Sequence, residues 1–159
     1  MVALEFKPDP FSPKELQMLS VGDTFPQFKL KATVSNDLDK AFIDIDNQTY
    51  KGKWLVVFFY PKDFTFVCPT EIKGFGDLNS QFADRDTQVL AASTDIEVVH
   101  LAWRKDHKDL HDLPFPVIAD RANRQATAFG TLDVEDSVAT RASFRCDRGC
   151  LLLFGYHSD

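Results

Sequence analysis

The chain has 159 residues, which suits one domain with a proper hydrophobic core. Apolar residues make up 44% and charged residues 26%, the balance of a folded globule and not of a disordered or fibrous chain. The net charge of −6 without a basic cluster speaks against a nucleic-acid partner, and no apolar stretch approaches membrane-spanning length. The N-terminus lacks the basic-then-apolar order of a signal peptide, so a cytoplasmic protein with reduced thiols is expected. Cys68, Cys146 and Cys150 are too few for a disulfide scaffold, and fifteen Phe predict an aromatic-rich core or interface.

Residues 1–18 are proline-rich and read as an N-terminal arm, leaving 19–159 as a single domain. Leu30 to Val34 predicts a first strand, and Phe42 to Asp46 alternates like a half-buried second one. Trp54 to Tyr60 is short, β-branched and aromatic, the pattern of a strand buried on both faces. After Cys68, the apolar residues Ile72, Phe75, Leu78 and Phe82 recur at helical steps. Gln88 to Ser93 predicts another buried strand. Thr94 or Asp95 is a candidate cap for a helix over roughly 96–109, on which Val99, Trp103 and His107 share a face. Pro114 to Asp120 holds a short strand, and Asn123 to Phe129 a short helix stopped by Gly130. Ala142 to Cys146 and Leu151 to Phe154 predict a closing hairpin, the second strand apolar enough to be buried on both faces. Strands alternating with helices imply βαβ units, hence an α/β fold with a mostly parallel sheet.

The chemistry concentrates at the end of the 54–60 strand. Cys68 falls in the first turn of the helix that follows. Backbone N–H groups without intrahelical partners point toward that position, over the positive end of the helix dipole. Both favour thiolate over thiol, and the thiolate is the nucleophile. His107 and His111, four apart, sit in a highly charged segment and read better as a solvated face than as metal ligands. Cys146, Cys150 and His157 have only loose metal-like spacing with no evident fourth ligand, and no C-x-x-C pair exists for disulfide exchange.

Pro61, Thr65 and Cys68 fit a P-x-x-x-T-x-x-C pattern, and the string from Phe59 to Ile72 resembles the peroxiredoxins, in particular the branch of the alkyl hydroperoxide reductase C subunit. Trp103-Arg104 and the run Thr140 to Phe144 are similar to that branch too, so the resemblance spans about Leu19 to Phe144. It implies a thioredoxin-like fold with a central mixed sheet flanked by helices. It also implies a thiol-dependent peroxidase that reduces hydrogen peroxide, alkyl hydroperoxides or peroxynitrite, in antioxidant defence and cell redox homeostasis. Cys68 would be the peroxidatic thiolate and become a sulfenic acid. Arg141, brought near by the fold, would stabilise the thiolate and polarise the peroxide. Thr65 would set its hydroxyl beside the sulfur, Pro61 would shield it from water, and Glu71 would orient Arg141. No metal, haem or flavin is called for. The implied partners are a hydroperoxide, an external thiol or disulfide-reductase protein, and further copies of the chain in a homodimer or ring of dimers.

Beyond Phe144 the resemblance fades. Arg145 stands where the family has an apolar residue, and the family's last helix and its C-terminal arm with a resolving cysteine are not matched. The expectation is a C-terminus truncated or altered near residue 145, with neither Cys146 nor Cys150 at the resolving position and with one face of the apolar Leu151 to Phe154 strand left uncovered. The alternative from another class is a non-catalytic thioredoxin-fold holdase or a damaged peroxiredoxin remnant.

Overall fold

In a computed structural model, residues 19–158 are described; the expected arm, residues 1–18, lies outside them. The elements in chain order are β1 (Lys29–Thr33), β2 (Phe42–Asp46), β3 (Trp54–Phe59), α1 (Cys68–Asp77), α2 (Asn79–Ala83), β4 (Thr87–Ser93), α3 (Glu97–Asp106), β5 (Val117–Ala119), α4 (Arg124–Ala128), β6 (Leu132–Asp133), β7 (Val138–Ala139), β8 (Arg141–Cys146) and β9 (Leu152–Ser158). Seven strands form one mixed sheet in the order β2-β1-β5-β4-β3-β8-β9. β3 pairs in parallel with β4, and β4 with β5, each through a helical crossover, as parallel pairing requires. β8 and β9 extend the sheet antiparallel beyond β3.

β3 and β4 lie at the centre, and their side chains alternate between two cores. Val57, Phe59, Leu90 and Ala92 join Phe129, Ala142, Phe144 and Cys146 on one face. Phe58, Tyr60, Val89 and Ala91 join Cys68, Ile72, Trp103 and Phe115 on the other. A strand covered on both faces needs no polar positions, which is why 54–60 is apolar throughout. Aromatic contacts dominate both layers: Phe58 stacks on Phe75 with ring centres 4.1 Å apart, and Phe144 meets Phe129 at 4.7 Å.

Several expectations change in detail. The helix after Cys68 divides at Leu78, which caps α1 and opens α2 and is 47% exposed. Gly74 and Gly76 weaken the helix just before the break, and the redirected chain packs Phe82 against Phe75 at 6.2 Å. Neither Thr94 nor Asp95 caps α3; Ile96 precedes it without a side-chain cap, and Asp95 is engaged elsewhere. The buried stripe of α3 is His100, Leu101, Trp103 and Arg104, so Val99 and His107 are only partly covered. Arg104 is tolerated inside because its Nη2 donates to the Leu113 carbonyl at 2.8 Å. The short β6–β7 ribbon had no signal in the sequence.

At the C-terminus the doubly apolar pattern of Leu151 to Phe154 is buried on one face only, as expected where the family's last helix is unmatched. β9 is an edge strand that pairs with β8 along its length, with Leu152 at its start also exchanging backbone hydrogen bonds with Gly22 and Asp23, and among the described residues it is not buried on both faces. Leu152 is 1% exposed, whereas Phe154 and Tyr156 are 54% and 57% exposed. Phe154 pairs with Arg145 and Tyr156 with Ser143, on the face opposite Phe144, where no helix of the described residues covers the sheet edge. Arg145 is accommodated there by laying its guanidinium over the Trp54 ring, 4.8 Å from the centroid.

The two faces of this hairpin should respond differently to mutation. Phe144→Ala is expected to cost about 3–5 kcal/mol of unfolding free energy, the usual loss for a buried Phe. Phe154→Ser, on the open face, should shift it by no more than about 0.5 kcal/mol. Urea unfolding of both variants checks the assignment of faces.

Candidate active site

Every side chain of the site is placed by the C-terminal end of β3. The strand stops at Phe59, the chain crosses the loop 60–67, and α1 begins at Cys68. Pro69 follows in the first turn, where its missing N–H costs nothing and its fixed φ suits a helix start. Val67 precedes the helix and gives no side-chain cap, so the first-turn N–H groups stay free of side-chain capping. Cys68 is 1% exposed.

β8 runs antiparallel to β3, with Ala142 opposite Phe59. Its first residue, Arg141, therefore lies just past the end of β3, where α1 also begins. Arg141 Nη2 donates to Cys68 Sγ at 3.3 Å across 73 positions of sequence. Glu71, in the first turn of α1, sets Oε2 3.5 Å from Arg141 Nε. That distance is a charge pair and not a hydrogen bond, and Oε2 has no hydrogen-bond partner in the structure. Burial pushes the Glu71 carboxyl above its ordinary range, and the Arg141 charge offsets part of the rise.

Pro61 and Thr65 lie in the loop between β3 and α1, both half-buried. The Thr65 hydroxyl donates to the Lys62 carbonyl at 3.3 Å, closing a turn within the loop; Thr65 is outside the helix. Arg141 thus touches both Cys68 and Glu71, and Pro61 and Thr65 lie on the segment that leads into Cys68. Trp103 is 4% exposed and belongs to the same core layer as Cys68.

The other cysteines are far from this chemistry in kind and in place. Cys146 packs in the layer on the opposite face of the sheet from Cys68, and half-buried Cys150 packs against the same layer. Burial pushes the Cys146 thiol up to about 12, with Cys150 and Asp147 adding to the rise. Among the described residues, no group of three or more His, Cys, Asp or Glu could hold a metal ion, and His107 packs its ring edge-on to Trp103 instead.

Two residues of this neighbourhood escaped the sequence reading. Asp63, in the same loop, turns inward to a buried contact with His100 of α3. Asp63 falls within the string around Cys68 without drawing a role of its own, and His100 lies one position off the face assigned to α3. Only their burial singles them out.

The AhpC/TSA family model matches residues 21–152. The alkyl hydroperoxide reductase C of Mycolicibacterium smegmatis is 46% identical over 140 residues, which cover 83% of this chain and 71% of that protein. The thioredoxin peroxidase of Trypanosoma brucei rhodesiense is 42% identical over 125 residues, 77% of this chain and 61% of that one. The solved structure of Mycobacterium tuberculosis AhpC superposes with a TM-score of 0.82 at 42% identity, covering 89% of this chain and 88% of that one.

Glu71 carries a trade-off that pH and mutation can expose. With its carboxyl raised by burial, the folded chain holds that proton more tightly than the unfolded chain. Its contribution to stability therefore falls as pH rises past the ordinary glutamate range. Glu71→Gln should make the protein slightly more stable at neutral pH and remove that part of the stability–pH slope. The same change should slow peroxide reduction by freeing Arg141. Thermal melts from pH 4 to 8 beside stopped-flow rates test both halves.

Proposed function

We propose, for a chain that belongs to the AhpC/TSA family, that Cys68 is the sulfur that reduces the peroxide and that Arg141 stabilises the charge moved in doing so. Membership makes the chain a peroxiredoxin of the alkyl hydroperoxide reductase C branch, with a thioredoxin-like fold and a thiol-dependent peroxidase activity. It disfavours the non-catalytic alternative. The family acts on peroxides, draws electrons from a reductant and is typically oligomeric.

The observation that carries the assignment is the 3.3 Å contact from Arg141 Nη2 to a buried sulfur at the start of a helix. A guanidinium is permanently charged and holds its donors in a fixed fork, so it can face the sulfur and the incoming peroxide together. The thiolate attacks one peroxide oxygen along the O–O axis. An S–O bond forms as the O–O bond breaks, and the leaving oxygen departs as alkoxide or hydroxide and takes up a proton. Negative charge moves from sulfur to oxygen within reach of the same guanidinium, so the donor acts where charge develops. Glu71 pairs with Arg141 through Nε, and Pro61 and Thr65, on the segment leading into Cys68, border the path of the peroxide.

Cys68 is left as a sulfenic acid. An external thiolate displaces hydroxide from it to give a mixed disulfide, and a second thiol then releases reduced Cys68. Neither Cys146 nor Cys150 shares the Cys68 face of the sheet, which supports an external donor such as a dithiol protein. Self-association is part of the same reading. Phe64, Phe66 and Val67 beside the site are 55%, 100% and 60% exposed, an apolar edge suited to a second copy. A cytoplasmic setting fits three free thiols and the lack, among the described residues, of a helix long and apolar enough to cross a membrane.

Rapid mixing with hydrogen peroxide tests the assignment. Cys68→Ser should abolish the fast phase while Cys146→Ser and Cys150→Ser retain it, and intact mass should show one added oxygen on Cys68 alone. Arg141→Ala should slow the reaction by about a hundredfold, the scale of one donor lost at developing charge. A fast phase that survives in Cys68→Ser would refute the role of this sulfur.

A further inference from the structure

Buried polar side chains outside the chemistry above converge on the loop that borders it. Asp63 lies between Pro61 and Thr65. Its neighbours Lys62 and Phe64 are exposed, yet Asp63 is only 7% exposed. Its carboxylate accepts the Tyr60 hydroxyl at 2.7 Å and faces His100 Nδ1 at 2.6 Å. A carboxylate only accepts, so Nδ1 carries the hydrogen of that contact. The Asp63 backbone N–H donates to Asp95 Oδ2 at 2.7 Å. One loop residue is thereby tied to the end of β3, to α3 and to the segment after β4.

Burying a carboxylate is costly unless its oxygens are engaged, and core packing alone would be better served by an apolar residue. The next residue supplies the reason. Phe64 holds φ at 56°, a left-handed conformation that a bulky side chain resists. Two contacts hold it there: the anchored Asp63 on one side, and the Trp103 ring of α3 at 6.0 Å from its own ring on the other. Thr65 follows at once, its hydroxyl returned to the Lys62 carbonyl. The 62–65 turn is therefore closed on itself and oriented through Asp63. Without the anchor, Phe64 is free to relax to an unstrained backbone and carry Thr65 with it.

We infer that Asp63 and His100 are positioning residues for peroxide reduction: the buried pair, with Tyr60 and Asp95, holds the 61–65 segment so that Pro61 and Thr65 face a peroxide at Cys68. This rests on the role proposed above for Cys68, and it concerns the approach of the peroxide, not the sulfur itself. The bonds of the pair run to β3, α3 and the segment after β4, whereas Arg141 reaches the sulfur from β8 and pairs with Glu71 of α1.

The test compares second-order rate constants of the full chain toward hydrogen peroxide and toward iodoacetamide, which reads the nucleophilic sulfur without needing the turn. His100→Leu should lower the peroxide constant about tenfold or more while alkylation changes less than about twofold, the signature of misplacement and not of a lost nucleophile. His100→Asn, whose amide nitrogen stands in for Nδ1, should restore most of the peroxide rate, which a space-filling role would not do. Should His100→Leu fail to fold, Asp95→Ala removes only the acceptor for the Asp63 N–H from a half-buried position and should lower the same ratio. An unchanged ratio in folded variants overturns the proposal. A wild-type chain with no fast reaction at Cys68 overturns the underlying role of that sulfur, an outcome distinct from an unchanged ratio.

Discussion

The antiparallel pairing of β8 with β3 is the constraint on which the site depends. A cysteine at a strand–helix junction already enjoys free N–H groups and a favourable dipole. These are partial charges. A full positive charge arrives only because β8 begins where β3 ends, which brings Arg141 against Cys68 from 73 positions away. Hydrogen bonds of the sheet fix that register, and the shared burial of Val57, Phe59, Ala142 and Phe144 in one layer reinforces it. A one-residue slip would turn Ala142 and Phe144 out of their core. Core packing and the placement of the guanidinium are thus the same structural fact.

Polar groups inside the molecule follow one logic: each is buried where backbone or loop geometry needs an anchor. Asp120 is fully buried, and burial raises its carboxyl. It accepts from the N–H groups of Arg124 and Ala126, and so caps α4 from outside the helix because Asn123, in a left-handed conformation, gives no side-chain cap. Arg104 fastens α3 to the Leu113 carbonyl. Asp63 and His100 fasten the loop between β3 and α1. Such groups contribute little net stability compared with apolar replacements, but removing one partner strands the other without water, which makes the geometry hard to lose piecemeal.

The C-terminal hairpin follows a different balance. Its inner face closes the Phe144 core tightly: a side chain at Gly155 would meet the Phe144 ring at 3.1 Å. Its outer face leaves Phe154 and Tyr156 open and keeps Arg145 on the Trp54 ring. The hairpin is therefore essential to one core and free on its other side, and an apolar sequence alone did not distinguish those states.

The sequence by itself determined the chemistry-bearing string around Cys68, the α/β alternation and the order of the main elements, because each rests on local pattern: an apolar run bounded by a turn, a helical stripe, a cysteine in a first turn. Strand and helix boundaries fell within a few residues for the same reason, and the family resemblance pointed to Arg141. Tertiary structure alone decided what depends on distant partners. Leu151 to Phe154 has the pattern of a doubly buried strand, and its pairing at the sheet edge decided which face stays open. Local pattern gave Asp63 and His100 no role of their own, and their mutual contact puts both inside. Local pattern picks out Thr65, but only the fold decides that its hydroxyl bonds the Lys62 carbonyl beside a left-handed Phe64. In each case burial is a property of the neighbours that the fold supplies, and no local pattern records who those neighbours are.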